Sequence, residues 1–200
     1  MTDYKILLAL LGVLIGTCSY IIYIFSVFRR GVRPHAFSWL VWGTLMGIGF
    51  AVQYTERAGA GSWPMGLGAG ACLLIFVLAL IKGNRVFTPF DWGCLVLALL
   101  GIILWVVTNN PVTAAALITV TDAIAFAPTF KKGFRLPREE NLAPFAVGIM
   151  TTVLSIVALS NYSLATWLYP ASLAITNTAF ISMILLRRAR LPLTAARTAR

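Results

Sequence analysis

Seven continuous apolar segments make up most of this 200-residue chain. They lie at 5–28, 36–54, 63–82, 91–108, 111–130, 142–160 and 164–186. Their apolar runs show no alternation with polar positions, so the pattern favours helices over strands. A helix rises about 1.5 Å per residue, so each segment predicts a helix that can cross a hydrocarbon layer of about 30 Å.

Composition agrees with a membrane protein. The chain is 60% hydrophobic and 11% charged, and its mean hydropathy is +0.88. A net charge of +10 would suggest a nucleic-acid partner in a soluble protein. Here the basic residues fall between the apolar segments, which indicates orientation in a lipid bilayer and no role in nucleic-acid binding.

The basic residues alternate between the two sides of the predicted membrane. Fourteen of the 16 Lys and Arg residues follow spans one, three, five and seven: Arg29, Arg30, Arg33, Lys82, Arg85, Lys131, Lys132, Arg135, Arg138, Arg187, Arg188, Arg190, Arg197 and Arg200. The other two are Lys5 and Arg57. The positive-inside rule therefore predicts an outside N-terminus and a cytoplasmic C-terminus, in an integral plasma membrane protein of the bacterial inner-membrane type.

Two short stretches about a hundred residues apart repeat one another. FRRGVRP at 28–34 matches FKKGFRLP at 130–137, and each follows one span and precedes two more. The third span of each set opens with an aromatic–proline pair, Trp63-Pro64 or Tyr169-Pro170. The pattern indicates a duplicated three-helix unit with one span left over, which gives a parallel 3+1+3 arrangement.

The duplication divides the chain into four parts. These are a first three-helix bundle at 1–83, a linker helix at 84–110, a second bundle at 111–188 and a basic cytoplasmic tail at 189–200. Spans four and five are joined by only Asn109-Asn110-Pro111, so we expect them to be antiparallel neighbours. A binding site is expected near mid-membrane, where the two bundles face each other.

With this layout, the chain resembles the SWEET and PQ-loop transporter superfamily. The local match is APTFKK at 127–132, which is similar to the Pro-Thr-Phe segment that ends the first helix of each bundle in sugar-transporting SWEETs. The resemblance implies alternating-access movement of a small solute between two three-helix bundles. It leaves the solute open, because related folds are associated with sugars, amino acids, vitamin precursors and receptor roles.

Asp122 is the acidic residue nearest the centre of a span. It lies about 16 Å along span five, and an unpaired carboxylate at that depth is costly. It predicts a proton-coupling or substrate-binding group, or alternatively a structural hydrogen bond to a neighbouring helix. Tyr20 occupies the matching position in the first copy, with Ser19 beside it, and both are candidate substrate-binding residues.

Asn177 lies near mid-depth in span seven and is the candidate for the pocket asparagine that the family resemblance implies. Its amide can donate and accept hydrogen bonds to a solute, or it can instead join two helices. Its counterpart in the first copy is Ala71. We expect it to lie near Asp122.

Three further residues are candidates for gating. Trp63 and Trp167 lie at the outer ends of the third spans, where an aromatic belt explains them as well as an extracellular gate does. Pro128 removes a backbone hydrogen bond near the cytoplasmic end of span five, giving either a hinge or a static kink. Ser26 stands at its place in the first copy.

Other chemistries find little support. Cys18, Cys72 and Cys94 lie singly in spans, which indicates apolar packing, and His35 is the single histidine. The sequence thus predicts no metal site, no cofactor and no enzyme activity.

The sequence predicts a transporter that moves a small polar solute, such as a sugar, with Asp122 as a candidate proton-coupling group. The alternative is a non-transporting seven-helix receptor or a subunit of a membrane complex. The expected partners are the lipid bilayer and the solute, and assembly into a homo-oligomer is left open.

Overall fold

In the computed structural model, which describes residues 3–85 and 87–190, the chain folds into seven helices and one short 3₁₀ helix. The helices are α1 Asp3–Arg29, α2 Ala36–Thr55, α3 Trp63–Lys82, α4 Pro89–Thr108, α5 Pro111–Arg135, α6 Ala143–Val157 and α7 Leu164–Arg190. The 3₁₀ helix, Gly59–Ser62, leads into α3. Each helix begins within two residues of its predicted span. The predicted tail at 189–200 overlaps the end of α7 at its first two residues, and 191–200 lie outside the described part of the chain.

Six of these helices are long and apolar enough to cross a membrane, the 3₁₀ helix and α3 counting as one span. The exception is α6, whose 15 residues extend about 22 Å and fall short of the roughly 20 residues that a span needs. The predicted span at 142–160 is therefore too long. Just beyond the end of α6 the chain bonds to the first half of the protein: Ser160 N donates to Ala58 O at 2.8 Å, and Lys5 Nζ donates to Leu159 O at 2.5 Å.

The connection between α4 and α5 is set by local sequence. Asn109 ends α4 in the left-handed conformation, with φ of 49°. The Asn110 side chain then accepts from Val112 N at 3.0 Å, and Pro111 fills the first helical position, where no N–H is needed. The two helices pack along one another, as their three-residue connection predicts.

The aromatic–proline pairs do not both open a helix. Trp63 and Pro64 begin α3, whereas Tyr169 and Pro170 lie inside α7, which already starts at Leu164. A 3₁₀ helix, Gly59–Ser62, precedes Trp63, whereas the first turn of α7 precedes Tyr169.

The helices pack around α2, which contacts α3, α4, α5 and α7. One face of α2 is buried, as its spacing of three and four residues requires: Phe37, Val41, Leu45, Ile48 and Val52. The third helix of each proposed set contacts the other two of its set, α3 with α1 and α2, and α7 with α5 and α6. Between the sets, α1 packs on α6 and α2 packs on α5.

The bundle has two chemically different ends. We call the end at which α1 starts the N-terminal end, and the opposite one the basic end. Twelve Lys and Arg residues lie at or beside the basic end: Arg29, Arg30, Arg33, Lys82, Arg85, Lys131, Lys132, Arg135, Arg138, Arg187, Arg188 and Arg190. In the described ranges, the N-terminal end carries Lys5 and Arg57.

Candidate functional site

A cavity lies between α1, α3 and α6, in the half of the bundle nearer the N-terminal end. The cavity has a volume of about 40 Å³, which is room for a few water molecules. Its lining comprises Gly12, Gly16, Tyr20, Met46, Pro64, Met65, Leu67, Thr151, Thr152, Ser155 and Leu173. The residues from α1 and α6 bring the two halves of the chain, residues 3–85 and 111–190, to opposite sides of one space.

Glycines on α1 allow the helices around the cavity to approach closely. A Cβ on Gly12 would lie 3.2 Å from Pro64 Cγ, and one on Gly16 would lie 3.2 Å from Leu67 Cδ2. Both distances are tighter than ordinary van der Waals contact. The i, i+4 spacing of these glycines therefore holds α1 against α3 at the cavity wall.

Tyr20 connects this cavity with a buried group of polar side chains. The Tyr20 hydroxyl interacts with the Cys72 thiol of α3. It also lies near Gly68 of α3, where an added Cβ would be 3.4 Å from the hydroxyl oxygen. Tyr169 of α7 lies close enough to Tyr20, Cys72 and Asp122 for the charged forms of these groups to repel one another. We call these four residues, one each from α1, α3, α5 and α7, the central polar cluster.

Asp122 is buried in this cluster, with 3% of its surface exposed. In the described part of the chain, no side chain donates a hydrogen bond to it or forms an ion pair with it. Thr119 and Thr121, the neighbours that could have done so, donate instead to Ala115 O and Leu117 O, both at 2.7 Å. Burying an unpaired, ionised carboxylate costs several kcal/mol of stability. None of the hydrogen bonds described above offsets that cost at Asp122.

Tyr169 is the largest fully buried side chain of the cluster, at 1% exposure. Its ring lies against α2, where a Cβ on Gly49 would be 2.8 Å from Tyr169 Cδ1. Among the described residues, its hydroxyl has no hydrogen-bond partner. The cluster thus contains a buried hydroxyl and a buried carboxyl group that are both available to a proton, a water molecule or a solute.

The structure does not join Asn177 to Asp122. The Asn177 amide packs on α6, with Nδ2 2.8 Å from the position of a Cβ on Gly148. Gly148 O in turn accepts hydrogen bonds from Thr151 and Thr152, which line the cavity. Asn177 therefore packs on α6 beside the cavity wall and is not among the residues that line the cavity.

The remaining predicted residues lie away from the cavity. Ser19 is half-buried beside Tyr20 and is not in the lining. Trp63 and Trp167 are 43% and 39% exposed, and Pro128 is exposed on a helix that continues to Arg135. Both tryptophans are thus partly exposed near the N-terminal end of the bundle.

Five hydrogen bonds join the two halves at or near the N-terminal end. They run from Lys5 Nζ to Leu159 O, Gln53 Nε2 to Thr166 O, Ser155 Oγ to Gly61 O, Ser160 N to Ala58 O and Asn161 Nδ2 to Glu56 O. At the basic end, the bond from Asn84 N to Pro34 O stays within the first half, and the bond from Arg188 Nε to Pro137 O stays within the second.

Sequence reasoning missed several residues of the site. Cys72 was interpreted as apolar packing, and Tyr169 only as part of an aromatic–proline pair. The cavity wall on α6 was missed too, although Thr151, Thr152 and Ser155 share one helix face inside an apolar segment. Polar residues on one face of an apolar helix are the signal from which this cavity wall could have been predicted.

Comparisons with protein families, with curated proteins and with solved structures found no match to this chain.

Proposed function

We propose that this chain is a membrane transporter that moves a small polar solute, a sugar or a similar metabolite, by alternating access between two three-helix bundles. The bundles are α1–α3 and α5–α7, with α4 as the linker. The N-terminal end faces outward and the basic end faces the cytoplasm, in a plasma membrane such as the bacterial inner membrane.

Equivalent packing in the two halves supports the two-bundle arrangement. The third helix contacts both others in each half, and the contacts of α1 with α6 and of α2 with α5 exchange under a twofold rotation. The prolines of the two repeated stretches also accept comparable hydrogen bonds. Pro34 O accepts one of 2.9 Å from the backbone Asn84 N, two residues beyond α3, and Pro137 O accepts one of 2.9 Å from the side-chain Nε of Arg188 in α7.

The observation that carries the proposal is the meeting of the two halves at one polar site. Tyr20 and Asp122, which occupy matching positions in the repeat, both belong to the central polar cluster, and Tyr20 also lines the cavity. Binding sites of repeat transporters lie at such an interface near mid-membrane. Asp122 is the candidate for proton coupling because it is the acidic residue of this cluster.

The hydrogen bonds between the halves at the N-terminal end support a conformation that is closed on the outside. The cavity beneath these bonds is smaller than a sugar or an amino acid requires. Transport in this scheme needs the halves to separate at one end at a time, and the bonds within each half at the basic end allow each bundle to move as a unit.

Uptake into proteoliposomes tests the proposal. The purified chain is assayed with labelled sugars, amino acids and vitamin precursors, with and without an inward proton gradient. We expect saturable uptake of at least one class, and its loss in Asp122→Asn, which keeps the size of the side chain and removes its charge. Asp3→Asn, an exposed change of the same chemistry in the first turn of α1, is the matched control.

Two results would contradict the assignment. If Asp122→Asn transports like the unmodified chain, Asp122 has no part in the path. If no solute moves under any gradient while the chain copurifies with a stable partner, the alternative of a receptor or a complex subunit replaces the transporter.

A further inference from the structure

The three hydroxyl groups on the α6 wall of the cavity each donate their proton to a backbone carbonyl. Thr151 Oγ1 and Thr152 Oγ1 donate to Gly148 O at 3.1 and 2.8 Å, and Ser155 Oγ donates to Gly61 O at 2.6 Å. A hydroxyl that donates its single proton keeps two lone pairs. While these bonds are kept, the three hydroxyl groups can interact with a further polar group only as hydrogen-bond acceptors.

The other walls supply no charge and few donors. Pro64 has no N–H group, and the Tyr20 hydroxyl interacts with Cys72. The described lining contains no Lys, Arg, Asp or Glu. An anion would thus lose its hydration without gaining a cationic partner, and a cation would gain no carboxylate.

We propose that this cavity binds a small uncharged solute that is rich in N–H or O–H donors, and that it rejects anions. The inference rests on the proposed function, since it names the chemical class that the transport site accepts. The donors of such a solute meet the free lone pairs of Thr151, Thr152 and Ser155, while its carbon skeleton packs on Leu67, Met46 and Leu173.

Three small molecules of nearly equal shape separate the effect of charge on binding from the effect of hydrogen-bond donors. Acetamide is neutral and carries two N–H donors, acetone is neutral and carries none, and acetate is an anion with acceptors alone. Binding of each to the full chain in lipid nanodiscs is followed by saturation-transfer NMR, with empty nanodiscs as the blank. We expect acetamide to bind detectably, and acetone and acetate to bind at least about fivefold more weakly.

A matched pair of variants ties this binding to the cavity. Thr152→Val keeps the shape and removes one acceptor, and we expect it to weaken acetamide binding about fivefold. Thr119→Val is the control, because Thr119 makes the same kind of bond to its own helix, at 2.7 Å to Ala115 O, and does not line the cavity. It should bind acetamide as the unmodified chain does.

The inference is overturned if acetate binds as well as acetamide, if acetamide does not bind, or if both variants bind alike. Failure of the transporter proposal has a different result, namely that the selective binding is present but no solute crosses the proteoliposome membrane.

Discussion

Gln53 on α2 completes the hydrogen bonding of a helix to which it does not belong. Pro170 lies inside α7 and has no N–H, so the carbonyl of Thr166, four residues earlier, loses its usual partner. Gln53 Nε2 donates to that carbonyl at 2.8 Å, and both side chains are fully buried. We therefore predict that Gln53→Leu destabilises the protein by leaving the carbonyl unpaired.

The expected loss of stability depends on both polar atoms of the Gln53 side chain, Nε2 and Oε1. A buried carbonyl without a partner costs about 1–3 kcal/mol. Gln53 Oε1 already has no partner among the described residues, so replacing it removes a smaller opposing cost. A net loss of about 1–2 kcal/mol lowers the unfolding midpoint by roughly 2–8 °C for a chain of this size.

A double-mutant cycle tests the cause. Pro170→Ala restores an N–H that can bond to Thr166 O within α7, so Gln53→Leu should cost less than half as much in that background. The measurement is thermal unfolding in detergent, followed by tryptophan fluorescence. If Gln53→Leu lowers the midpoint equally in both backgrounds, Gln53 does not substitute for the N–H that proline lacks, and the reasoning fails.

Two further pairs of substitutions test packing near the N-terminal end and hydrogen bonding at the basic end. Gly61→Ala places a Cβ 2.7 Å from Leu159 N, where the backbone must shift, and should destabilise the protein by about 1–3 kcal/mol in the same thermal unfolding assay. Gly70 has open space around it, so Gly70→Ala should be neutral or slightly stabilising. Equal effects of the two changes would contradict the packing argument. Arg188→Met removes hydrogen bonds to two carbonyls of the α5–α6 connection, at 2.9 and 2.6 Å, and should cost about 1–3 kcal/mol. Arg187→Met, which removes one longer bond of 3.3 Å, should cost clearly less, and the reverse order would refute the assignment.

The sequence predicted the helices well because helix formation depends on neighbouring residues. The apolar runs, the Asn109-Asn110-Pro111 turn and the prolines at helix starts are local signals, and the observed helix starts agree with them. The exception is α6, because just beyond its end Leu159 O and Ser160 N bond to Lys5 and Ala58, which lie 154 and 102 positions earlier in the chain. No local pattern contains that information.

The site was predicted only in part, for a related reason. Asp122 and Tyr20 could be singled out because a polar group in an apolar segment is unusual wherever the helix lies, and both belong to the central polar cluster. Asn177 could be singled out in the same way, and its amide packs on Gly148 of α6. Depth along a helix follows from counting residues, whereas the direction of a side chain depends on how each helix is rotated against its neighbours.

From its sequence alone, then, the chain reveals an all-helical membrane protein with one strongly basic end, because hydropathy, capping and charge act over a few residues. The folded arrangement decides that the walls of α1 and α6 enclose a cavity, and that Cys72 and Tyr169 join the polar cluster. It also decides that Gln53 pairs with a carbonyl freed by a proline 117 positions later in the chain. These contacts depend on glycine positions that set how closely the helices approach, and such long-range packing is determined only when all the helices meet.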